Sequence, residues 1–295
     1  MINTPPVLTI ATYSALLLTV AGLWHGPRVW VAAGATAVAL GYASGTLAGS
    51  AVLWLLLLAG ACLLYAHFRA GPPRLPARFA RLAGALGIVA LGALLGMHAL
   101  PGFHNLLVAR NLALTPQSAP YTLYLNFDKT MAGVLLLGAL QHPLIRTPCE
   151  WARALRGAAP VLVPTVTVLT IGSLALGYVR VDPKWHVLFW IWAPANLLMT
   201  CLSEEAFFRG FIQREVHRLL AHRSHADAIA IGVGALTFGA AHLGGGVTYA
   251  LLATIAGTGY GYVYARTGRI EMAMLTHFAL NATHFLLFTY PRVAA

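Results

Sequence analysis

The chain has 295 residues, 59% of them hydrophobic and only 9% charged, with a mean hydropathy of +0.73. A soluble domain carries about 25% charged residues, so lipid is the expected solvent. The net charge of +11 does not point to nucleic acid, because the basic residues fall between apolar runs and form no basic arm or basic-aromatic patch. Three scattered cysteines (Cys62, Cys149, Cys201) exclude a disulfide framework.

The N-terminal stretch MINTPPVLTIATYSALLLTVAGLWHG has no basic segment ahead of its apolar run over 7–24. It reads as a first membrane span and not as a cleaved signal peptide. Further apolar runs that approach the ~20 residues of a crossing fall at 29–47, 51–67, 82–100, 159–178, 186–208, 227–243, 248–265 and 271–289. A shorter run, 130–145, has Lys129, His142 and Pro143 near its ends; it is a tenth span or a re-entrant segment. The 101–130 loop between these runs, with Phe103, Tyr121, Tyr124 and Phe127, is placed as a cap on the outer face. No strand alternation competes with the helical reading, and no 20–50-residue period repeats. The predicted fold class is all-α, a polytopic membrane protein with about 9–10 transmembrane helices. Gly92 and Gly96, and Gly257 and Gly261, have the spacing that lets helices pack closely.

If all ten runs cross and the basic segment at 69–81 is cytoplasmic, 14 of the 19 basic residues face inside. Arg110, Lys129, Arg180, Lys184 and Arg292 then face outside, as do both termini. The expected location is the plasma (inner) membrane.

Eight acids occur in the whole chain, and two of them are adjacent, Glu204 and Glu205, in PANLLMTCLSEEAFFRGFIQREVHRLL. A charged residue at mid-span costs about 3 kcal/mol and a strong apolar one returns about 0.5. Two carboxylates and Arg209 would therefore outweigh the apolar residues around them, unless partners, protons or water compensate. Neighbouring carboxylates in a dry setting are a usual form of general acid or base. Glu205 and Arg209 are four residues apart and can pair, while Glu204 projects about 100° away. The plainer alternative is a span end with solvated charges.

Two later spans carry histidines. His242 ends the run 227–243 and follows Phe238 by four residues; His277 and Asn281 share a helical face, with His284 on the same side. A carboxylate, two imidazoles and an amide could activate water and stabilise an oxyanion. No His-Glu-x-x-His occurs, and no Gly-x-Ser-Gly or Gly-x-Gly-Asp. Cys201 reads as a packing thiol, since acids lie nearby.

Glu204-Glu205-x-x-x-Arg209, Phe238-x-x-x-His242 and His277-x-x-x-Asn281 resemble the three motifs of the CPBP family, the CAAX-processing and bacteriocin-processing intramembrane proteases. The resemblance covers roughly 185–290. It implies a catalytic core over 158–295 and an N-terminal transmembrane region over 1–157 with no assigned role. It also implies a membrane endopeptidase open toward the cytosolic side, acting on membrane-associated proteins or peptides in the lipid bilayer. By resemblance Glu204 is the general base, Glu205 a second carboxylate held by Arg209, and Asn281 part of an oxyanion hole. His242 and His277 hold the water or a metal. If zinc is present, His242, His277 and Glu205 are the candidate ligands, with one site open. The alternative function is an ion- or proton-coupled transporter using the Glu/His cluster as a relay.

One expectation conflicts with a shared site. Counted from Asp227, His242 lies about 22 Å along its helix, whereas His277 lies about 9 Å along its own from Glu271.

Overall fold

The computed structural model describes residues 6–69 and 75–294; residues 70–74, with Arg74 of the inward-facing basic set, lie outside the described residues. The protein is an all-α polytopic membrane protein. Its first helices are α1 (Val7–Gly22), α2 (Pro27–Ala43), α3 (Gly49–Arg69) and α4 (Leu75–Gly96). After α5 (Phe127–Ala139) and α6 (Pro148–Ala175), the run read as one span over 186–208 becomes a longer helical rod. It consists of α7 (Phe189–Ala195), a π-helical turn (Asn196–Cys201), α8 (Leu202–Phe207), a second π-helical turn (Phe208–Gln213) and α9 (Arg214–Leu219). The chain ends with α10 (Ala226–Ala241), α11 (Val247–Thr267) and α12 (Ile270–Leu287). Among the described residues, three helices, α3, α4 and α6, are long and apolar enough to cross a membrane, and α1 and α10 are shorter apolar helices.

Local sequence explains several boundaries. Pro27 and Pro148 occupy first-turn positions, where no backbone N–H is needed. Thr147 and Glu150 form a reciprocal capping box at the start of α6. Gly268, with φ of 64°, closes α11 in the left-handed conformation.

The 101–130 loop corrects the purely helical expectation. Leu106–Leu112 (β1) and Tyr121–Leu125 (β2) pair as a two-stranded sheet. β1 is partly buried along most of its length, so it shows no clean alternation of apolar and polar residues.

The described chain divides into two compact units. The first comprises residues up to 108, 124–143 and 198–207. At its centre is α5, buried from Phe127 to Leu137 and packed on α1, α2, α3, α4 and α8. Thirteen residues of helix span only about 20 Å, short of a ~30 Å hydrocarbon core. This helix is shielded by protein, which is why its hydropathy signal was weak. The second unit comprises 109–123, 144–197 and 208–294, and includes α6, α7 and α9–α12. Part of its core is Ile145, Ala154, Ala158, Val263 and Met272. After α12, the tail is tied down by Thr289 N–H to the Arg180 carbonyl and by Lys184 Nζ to the Phe288 carbonyl.

Candidate active site

In the first unit, α8 presents the acid pair. Consecutive helical residues diverge by about 100°. Glu205 is wholly buried, whereas Glu204 is partly exposed and accepts a hydrogen bond from Lys129 Nζ at 2.9 Å. Lys129, at the edge of the run 130–145 in the sequence, sits in the first turn of buried α5. Its neighbour Asp128 accepts from the Lys129 N–H at 2.8 Å and from Asn105 Nδ2 at 3.1 Å, and pairs with His98 Nδ1 at 2.7 Å. The helices α5 and α8 approach closely here, since a Cβ on Gly133 would lie 2.6 Å from the Ser203 Cα.

In the second unit, residues from all three motifs meet on one ring, that of Phe238. The His242 ring lies 4.4 Å from it and the His277 ring 5.7 Å, centroid to centroid. The Arg209 guanidinium sits over the same ring at 4.6 Å. His242 Nδ1 donates to the Phe238 carbonyl at 2.7 Å, which fixes the proton on Nδ1 and leaves Nε2 as the basic nitrogen. Tyr260 of α11 stacks on His277 at 4.6 Å with the planes 16° apart.

The expected mismatch in depth between His242 and His277 is therefore absent. Glu271 was taken as a surface marker, but it is 2% exposed and accepts the Ile145 N–H at 2.6 Å. The first turn of α12 is thus buried in the protein, and Glu271 is not a solvated surface marker.

The π-helical turn Phe208–Gln213 presents both Arg209 and Gln213 to α11. Arg209 Nη2 donates to the Gly257 carbonyl, and Gln213 Nε2 to the Gly261 carbonyl, each at 2.9 Å. The two glycines read as packing residues are also a docking strip for these side chains. A Cβ at Gly257 would stand 3.0 Å from Arg209 Nη2, and one at Gly261 2.7 Å from Gln213 Oε1. π-Helical turns cluster at functional sites. The motif spacing could have flagged this strip, because both pairs are four residues apart.

Asn281 Nδ2 donates to Asn196 Oδ1 at 3.2 Å, at the start of the first π-helical turn. His284, placed on the same face as His277, instead meets the Thr289 carbonyl through Nε2 at 3.1 Å and packs on Tyr290. Cys201 is buried.

Among the described residues, no three His, Cys, Asp or Glu side chains are grouped so as to hold a metal ion. A catalytic zinc takes three protein ligands, and the His242 and His277 pair is one short. The metalloprotease reading therefore has no support among the described residues.

Residues 185–283 match the family model described as Type II CAAX prenyl endopeptidase Rce1-like. The matched stretch contains Glu204, Glu205, Arg209, Phe238, His242, His277 and Asn281. No curated protein and no solved structure matches the chain.

Proposed function

We propose that the chain is an intramembrane endopeptidase that hydrolyses peptide bonds of membrane-associated proteins or peptides with a glutamate-activated water. The observation that supports this most is the meeting of Arg209, Phe238, His242 and His277, drawn from all three motifs, within a segment that matches an endopeptidase family.

In this reading Glu204 takes the proton from water as the water attacks the scissile carbonyl. Glu205 is the second carboxylate, with Arg209 as its counter-charge. His242 Nε2 and His277 orient the water, and the proton taken up by Glu204 passes to the leaving amine as the C–N bond breaks. Asn281, oriented by Asn196, donates to the developing oxyanion. The protein sits in the inner membrane with its site toward the cytosol and its catalytic core over 158–295.

The test uses purified protein in detergent, a panel of membrane peptides and water labelled with heavy oxygen. Cleavage with one heavy oxygen in each new carboxylate is the expected result, and a chelator is expected to leave the rate unchanged. Proton flux in liposomes with no cleaved peptide would replace this reading with a transporter.

A further inference from the structure

Lys129 lies outside the segment that matches the family model, in the first turn of α5. That is an unfavourable place for a cation, because a helix N-terminus carries partial positive charge. Its side chain is 10% exposed and that of its partner Glu204 18%. An ion pair so removed from water adds little to stability, since a well-packed apolar pair does as well or better. Stability therefore gives no reason for this pair.

The surroundings hold Lys129 in place. Asp128 accepts its backbone N–H, and Asn105 Oδ1 accepts the Phe127 N–H at 2.8 Å. Asn105 and His98 in turn bind Asp128, so the start of α5 is pinned from two sides. One turn further on, Gly133 lets the backbone of α5 touch Ser203, the residue before Glu204. The distance between Lys129 and Glu204 is thus set by two backbones and does not depend on a flexible side chain alone.

We propose that Lys129 is a positioning residue for the hydrolytic step: it holds Glu204 by Oε1 and balances its charge, so that the carboxylate stays aligned on the water. This rests on the peptidase reading above. A misplaced group of about 1 Å can cost roughly 100-fold in rate.

The experiment has two arms on the full-length protein in detergent. In the first, a membrane-permeant carbodiimide is added and digests are searched for an isopeptide bond between Lys129 and Glu204. The bond is expected in the wild type, and its absence would overturn the pairing. In the second, kcat and KM for a cleaved peptide are compared across variants. Lys129→Met is expected to lower kcat by about 100-fold with KM within about threefold, and Lys129→Arg to recover most of the loss. Should Lys129→Met not fold, Asp128→Asn is expected to lower kcat at unchanged KM. A folded Lys129→Met or Asp128→Asn with wild-type kcat would overturn the proposal, as would an Arg variant no better than Met. A crosslink in a wild type that cleaves nothing would instead overturn the peptidase reading.

Discussion

The guanidinium carbon of Arg209 lies over the ring of Phe238, 4.6 Å from its centroid, while Nη2 reaches the Gly257 carbonyl at 2.9 Å. Arg209 is fully buried and also faces Tyr260 at 5.3 Å. A lysine has no planar fork to stack and bond at once. A desolvated cation–π contact is worth about 2 kcal/mol and a hydrogen bond from a charged donor about 1.5–3. Arg209→Lys is therefore expected to lose about 2–4 kcal/mol of stability, read as a lower denaturation temperature in detergent, together with peptidase activity.

Gly257 and Gly261 are expected to be intolerant of even one methyl group. Gly257→Ala pushes on Arg209 and on the Ala235 Cα, 3.1 Å away, and Gly261→Ala pushes on Gln213. Each is expected to destabilise by about 1–3 kcal/mol. Gly96→Ala is the contrast: nothing lies within 4 Å of the added carbon, and stability should hold or rise by a few tenths to about 1 kcal/mol through helix propensity. Thermal unfolding of the three variants side by side checks this.

Tyr260 stacks on His277 and also edges Phe238 at 5.9 Å. Removing the ring removes the stack on the imidazole, whereas Tyr260→Phe keeps it. Tyr260→Leu is expected to lower kcat about tenfold or more, with Tyr260→Phe within about threefold of wild type. Equal losses in the two variants would place the role on the hydroxyl and not on the ring.

His284 is expected to act on the tail alone. His284→Ala removes the contact to the Thr289 carbonyl and should cost about 1 kcal/mol in stability, with kcat per folded molecule unchanged. A kcat loss at matched folding would put His284 into the chemistry.

Much of the helical framework was legible because membrane helices declare themselves by uninterrupted apolar length, as at 51–67. Acids and histidines in such runs are conspicuous, so Glu204, Glu205, His242 and His277 stood out one by one. Lys129 and Asp128 did not. They belong to a short helix covered by protein on its sides, where burial does not require a long apolar run and charged residues can be compensated by partners distant in sequence. Tyr260 was hidden for the opposite reason, since an aromatic residue in an apolar span carries no contrast. The β1–β2 hairpin was missed because its partly buried strands do not alternate. Glu271, a charge that usually marks a membrane surface, is buried on the Ile145 amide, so a helical count from it does not start at a surface.

The most direct measurement of the central claim compares the wild type with Glu204→Gln in detergent, both verified as folded, for cleavage of the same membrane peptide. Glutamine keeps the shape of the side chain and removes its basic carboxylate. The account expects a loss of at least about 100-fold in kcat with KM little changed, as for removal of a general base. Cleavage at the wild-type rate by Glu204→Gln would contradict it.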